Sequence, residues 1–220
     1  MAWGVRNLIS TGEIRTITRV NRCYDMESAR LALTSDESFR RLGLGTDYEN
    51  VVFVNCGMLG PLLPDNDRRF WASHFTDRID ARVKLVGPTI NCGGKSGVHH
   101  AHVQSMLWAT DKIGLSAIRA SGALYDCGDD LSTAHGRGDL IARYELGLSR
   151  AVLRAGYAIQ DMTNRTFDWR AAEKAQCEDM WEDRGLVGKY DPGALGFWKV
   201  SRPRQAGVMR SWLGSGVPPR

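Results

Sequence analysis

Glu145 stands beside the apolar stripe of a helical stretch, next to Tyr144 and Leu148. Partial burial raises the basicity of a carboxylate, and a carboxylate so placed suits a general base. The plainer account is a solvated glutamate on an amphipathic helix. Asn55 closes the apolar run Val51–Val54 and precedes Cys56-Gly57. Its amide either meets a ligand at a strand end or shapes a turn before glycine. Asp25 follows Asn21–Tyr24 and holds a ligand, fixes the Asn21 loop, or simply caps the next helix. His99, His100 and His102 cluster, and Asp129, Asp130 and His135 would extend them toward zinc. None of this has the spacing of a structural zinc site, so no metal ligand is assigned. Lys84, Lys95 and Arg137 would neutralise phosphate, although lone basic residues in loops are ordinarily solvated.

The elements that must position these residues read as strands alternating with helices. Glu13–Val20 alternates charged or threonine positions with Ile14, Ile17 and Val20, a short strand. Met26–Leu33 reads as helical. Val51–Val54 is apolar at every position, which predicts a central strand buried on both faces. Phe70, Trp71, His74, Phe75 and Ile79 fall at helical spacing, and Val83–Val86 is a strand closed by Gly87-Pro88. Asn91–Gly97 is a glycine-rich loop. Val103, Met106, Leu107, Thr110 and Ile113 mark one face of a predicted helix stopped by Gly114. Cys127–Gly138 reads as a long polar loop. Leu140–Ala155 is the strongest helix, with Gly156 as its cap and Tyr157–Ile159 returning as a strand. This is the pattern of an α/β domain, in which ligands bind beyond the carboxyl ends of the strands. Those ends carry Asn21-Arg22, Asn55-Cys56-Gly57 and Thr89–Gly94.

Composition sets the outer bounds. With 43% hydrophobic and 25% charged residues the chain can fill a core, which excludes disorder as its dominant state. No apolar run approaches the roughly 18 residues of a membrane span. The net charge of +4 owes much to 201–220, where four arginines meet no acid. Elsewhere the signs interleave, so the basic stripe of a nucleic-acid binder is missing. Five widely spaced cysteines do not make a disulfide scaffold, though a single Cys92–Cys127 bridge stays open. A cytoplasmic location is the default, since Met1–Ser10 has no apolar stretch of signal-peptide length.

Three segments, in this order, resemble the catalytic domain of GT-A-type glycosyltransferases. Val20–Asp25 with Ser28-Ala29-Arg30 is similar to the stretch preceding the central strand of family-2-like enzymes. Val51–Met58 is similar to the strand whose end carries the aspartates of the DxD motif. Tyr144–Tyr157 is similar to the helix whose acidic residue is the catalytic base of inverting members. A closer likeness, to a subgroup related to rhamnan-synthesis and capsule glycosyltransferases, runs through Asn55–Pro64, Val83–Ile90 and His102–Leu115. Together the resemblance covers Ile14 to Trp169.

This likeness implies a three-layer α/β/α, nucleotide-diphospho-sugar transferase-like domain over 1–200, with a mixed, mostly parallel sheet. A basic, flexible tail follows over 201–220. The implied reaction moves a sugar from a nucleotide-sugar donor to a glycan hydroxyl, with Glu145 as base and His102 lining the acceptor site. Asn21, Asp25, Asn55 and Gly57 take the donor-binding positions. Two departures stand out. Gly57 occupies the place of a DxD aspartate, which leaves dependence on a divalent metal uncertain. Only Met1–Gly12 precede the first strand, too few for the unit that cradles the base in family members. The chain is therefore N-terminally incomplete (a Golgi-lumen protein, if eukaryotic), differently built at that site, or degenerate. In the last case it is a non-catalytic carbohydrate-binding or partner domain of a larger glycosyltransferase.

Overall fold

The structure, a computed structural model, describes residues 24–34, 48–63, 67–92, 101–124, 141–175, 192–200, 206–207 and 209–210. Helix α1 (Tyr24–Thr34) comes first, then β1 (Asn50–Val54), β2 (Met58–Leu59) and the one-turn α2 (Ser73–Thr76). Strands β3 (Val83–Gly87), β4 (Ile90–Asn91), β5 (His102–Val103) and β6 (Leu107–Asp111) follow, and β6 leads directly into α3 (Lys112–Ala120). A π-helical turn over Ile141–Glu145 runs on into α4 (Leu146–Arg154). The remainder is β7 (Ala158–Asp161), β8 (Thr166–Phe167), α5 (Trp169–Lys174), α6 (Pro192–Leu195) and β9 (Trp198–Lys199).

Five strands form a mixed sheet in the order β1-β6-β3-β7-β8, so the chain is an α/β protein. Its parallel share is smaller than expected: β3 pairs β7 in parallel, and the other three pairings are antiparallel. Because β1 and β3 both oppose β6, they run the same way, and β7 runs with them. The carboxyl ends of β1, β3 and β7 therefore share one edge of the sheet.

Side chains alternate between the two faces of the sheet with the period of two that pleating imposes. Leu85, Trp108 and Ile159 point to the face covered by Leu115 and Ile118 of α3 and by Leu148 and Val152 of α4. Val86, Leu107, Ala109 and Ala158 point to the other, where Phe75 of α2 and Phe197 close the layer. Trp71 meets Phe197 edge-on at 5.2 Å. Each of these larger side chains contributes about 1.5–3 kcal/mol by leaving water. The covering layer on the second face is thin, one helical turn and loops among the described residues.

Several expectations are corrected. Val51–Val54 is not the central strand: among the described residues β1 has β6 as its one neighbour, and Val54 is 43% exposed. The centre belongs to β3 and β6. The predicted helix through Val103 and Met106 is instead β5, a turn and β6, and Gly114 lies inside α3 rather than stopping a helix. Phe70–Ile79 yields one helical turn instead of a full helix. In the tail, 206–207 and 209–210 are helical, and Met209 is buried at 2% exposure against Leu62, Leu195 and Trp198. The rest of 201–220 lies outside the described residues. The helix read over Leu140–Ala155 and the strands at Val83 and Ala158 stand. The strand at Glu13–Val20 and the loop Cys127–Gly138 lie outside the described residues.

Central strand β3 carries a lysine. Lys84, 5% exposed, donates to Asp111 Oδ2 at 2.6 Å and sits 5.9 Å from the Tyr157 ring centroid. Asp111 also caps α3, its Oδ1 accepting from the Gly114 N–H at 2.8 Å. Thr110 Oγ1 donates to the Lys84 carbonyl at 2.7 Å. Lys84 is thus held in the core and does not reach a loop to meet phosphate. Lys95 and Arg137 lie outside the described residues.

Candidate active site

The shared edge at the ends of β1, β3 and β7 gathers most of the described candidate residues. β1 stops at Asn55, whose N–H donates to the Met106 carbonyl at 2.8 Å. The Asn55 side chain then turns the chain, its Oδ1 accepting from the Gly57 N–H at 2.8 Å, an Asx turn of the kind asparagine favours. The Gly57 carbonyl in turn accepts from Val200 N–H at 3.0 Å, which ties this turn to β9. Both Asn55 and Gly57 are half-buried.

Glu145 reaches the same place from the helix side. The period of the helix buries Tyr144, Leu146 and Leu148 and leaves Glu145 half-exposed where the π turn gives way to α4. Its Oε1 accepts from the Ser105 N–H at 3.3 Å. Among the described residues no protein group meets Oε2. Single π turns of this kind inside helices frequently mark functional positions. Glu145 and Asn55 thus bond to successive residues of one turn, Ser105 and Met106.

His102 forms part of the wall of the site. It lies in β5 at 4% exposure, with Asn91 across the ladder, so its ring is enclosed and does not face an open cleft. Its neighbour Val103 donates to the buried Ser149 Oγ of α4 at 2.9 Å. That bond fixes the height of β5 on α4 and, through it, the distance between Ser105 and Glu145. Thr89 Oγ1 donates to Gln104 Oε1 at 3.2 Å, closing the wall toward β3.

One strong feature escaped the sequence reading. Asp161, fully buried at the end of β7, accepts from the Thr163 and Arg165 N–H groups at 3.0 Å each and from Ile90 N–H at 3.1 Å. Arg165 Nη2 comes within 2.6 Å of Asp161 Oδ2 and donates to the Ile90 carbonyl at 2.8 Å. The pair binds the chain after β3 to the end of β7. The signal was present in Asp161-Met162-Thr163-Asn164-Arg165, a turn sequence following a strand.

Asp25 lies within α1, whose first residues are described in backbone only, and Asn21 lies outside the described residues. Neither is brought to the site by a described contact. Among the described residues no group of three His, Cys, Asp or Glu side chains gathers as a metal site, and His99, His100, Asp129, Asp130 and His135 are outside them. At the end of β1 the donors do not fit a divalent cation. Gly57 brings no side-chain oxygen there, and Asn55 Oδ1 is already engaged by Gly57 N–H.

Cys92, after β4, is disulfide-bonded to a partner outside the described residues, whereas Cys56 is free and exposed. No described helix is long and apolar enough to cross a membrane. No known family model, curated protein or solved structure matches the chain.

Proposed function

We propose that the protein is a GT-A-type glycosyltransferase that moves a sugar from a nucleotide-sugar donor to a glycan hydroxyl, with Glu145 as general base. The observation that carries the reading is that Glu145 and the Asn55 backbone bond to successive residues, Ser105 and Met106, at the strand ends where α/β proteins bind ligands. In this reaction the acceptor hydroxyl gives its proton to Glu145 Oε2 as its oxygen bonds to the anomeric carbon. The bond from that carbon to the nucleotide diphosphate breaks, and its electron pair leaves with the diphosphate. The sugar inverts. Asn55 and the Gly57 backbone border the donor in this scheme, and His102 holds the wall behind the acceptor. With no carboxylate at the end of β1, basic side chains or backbone N–H groups carry the leaving-group charge. The Cys92 disulfide supports an oxidising compartment over the cytoplasm expected by default.

Removing a general base costs about 10²- to 10⁴-fold in rate. Glu145→Gln, assayed with a panel of uridine and guanosine diphosphosugars, is expected to lose turnover by that order and to keep donor affinity by calorimetry. Wild-type turnover in the variant removes Glu145 from the mechanism. A second reading, a non-catalytic carbohydrate-binding or partner domain, is favoured by Gly57 alone. It predicts saccharide binding with no release of nucleoside diphosphate from any donor of the panel.

A further inference from the structure

A second concave site lies at the other end of α4. Arg150, Leu153, Arg154 and Gly156 on one side and Trp169, Ala172 and Glu173 on the other line a cleft of about 540 Å³. That volume lies within the range of small-molecule sites. Nine residues of helix separate Arg154 from Glu145, about 13 Å along the axis and half a turn around it. The cleft is therefore separate from the candidate active site.

Its chemistry is specific. Leu153 and Ala172 are buried at 6% and 2% exposure and make an apolar floor. Trp169 is 47% exposed and offers a flat ring surface, with the Arg170 guanidinium 5.4 Å from its centroid. Arg150 and Arg154, four residues apart, share a face of α4. Neither guanidinium is paired with an acid among the described residues, and the Glu173 carboxylate has no cation there. Half-buried Arg150 lines the cleft, and no described acid takes its donors.

We infer that this cleft binds an acidic saccharide. A pyranose ring lays its C–H face on Trp169, its hydroxyls donate to Glu173, and its anionic group meets the arginine pair. Guanidinium donors match carboxylates and oxyanion esters in bidentate geometry. A bare anion would leave Trp169 unused and be repelled by Glu173, and a neutral sugar would leave both arginines unpaired. Carboxylate and sulfate saccharides share the required chemistry. The inference does not depend on Glu145 or on any transfer reaction.

The test is calorimetric titration of the full chain with a hexuronate tetrasaccharide, a sulfated disaccharide, a neutral tetrasaccharide of similar length and a nucleoside monophosphate. Acidic saccharides are expected to bind at least tenfold more tightly than the neutral one, and more weakly as salt rises. Binding of one acidic ligand over the other identifies the anionic group. Trp169→Ala and the double variant Arg150→Gln/Arg154→Gln are each expected to lose tenfold or more, with Trp169→Phe restoring much of the loss. These side chains border solvent, and an unchanged melting temperature establishes that each variant is folded. Glu145→Gln is expected to bind as wild type, so failure of the catalytic reading does not touch this one. Equal affinity for neutral and acidic sugars, binding of the nucleotide alone, no binding of any ligand, or no effect of the variants would overturn the proposal.

Discussion

At the scale of single residues, the two carboxylates at the strand ends have opposite roles. Glu145 has one oxygen without a partner among the described residues, whereas Asp161 uses both of its oxygens on backbone and guanidinium donors. Asp161→Ala leaves the Ile90, Thr163 and Arg165 N–H groups without their acceptor and strands Arg165. Breaking a buried ion pair costs about 3–5 kcal/mol. Arg165 is 26% exposed and regains some hydration, so a loss nearer about 2–3 kcal/mol is expected in urea denaturation. The donor set around Asn55 yields another expectation. Because Gly57 brings no carboxylate, the proposed sugar transfer is expected to persist in EDTA at millimolar concentration. Loss of activity in chelator, with recovery at micromolar manganese, would overturn that account.

At the scale of elements, α3 provides a test that separates local preference from packing. Replacing glycine by alanine inside a helix normally stabilises it by up to about 1 kcal/mol. At Gly114 a Cβ would run into Thr110 Oγ1 and the Lys84 carbonyl, because α3 presses its first turn onto β3. Gly114→Ala is therefore expected to destabilise by about 1–3 kcal/mol, read as a lower thermal midpoint. The same contact explains why α3 was misread. A glycine that permits close approach looks, in sequence, like one that ends a helix. β1 was misread for a related reason. Val51–Val54 has the unbroken apolar run of a central strand, yet the fully enclosed strand is β3, whose run is broken by Lys84. Only the partner Asp111, 27 positions away, makes that lysine tolerable in the core, and no local pattern reports such a pair. The helix bearing Glu145 was legible because its period of burial is set within its own sequence. So was Asn55, a turn residue directly after an apolar strand. His102 was legible as a neighbour of the site but not as an enclosed one, since its burial is decided by β4 and α4.

At the scale of the whole molecule, strand direction explains how residues 90 positions apart in sequence become neighbours. β1, β3 and β7 end on one edge, and α4 begins there, so Asn55 and Glu145 reach the adjacent residues Met106 and Ser105. The disulfide is likewise a property of the whole molecule in its compartment. Under non-reducing conditions Cys56 is expected to take iodoacetamide directly, while Cys92 is labelled only after reduction, as read by peptide mass. Direct labelling of Cys92 in freshly isolated protein would count against the disulfide.

The buried Lys84–Asp111 contact has a further consequence, for the accuracy of folding. Sheet pairing alone leaves β3 and β6 free to slide, and a slip by one residue turns every side chain to the opposite face. Here such a slip would part Lys84 from Asp111 and abandon an ammonium group in the core. That penalty is larger than the loss of a single apolar contact. The lysine, a poor choice by hydrophobicity, works as a proofreading element: misaligned β3–β6 pairs are costly enough to come apart, and the strands can try again.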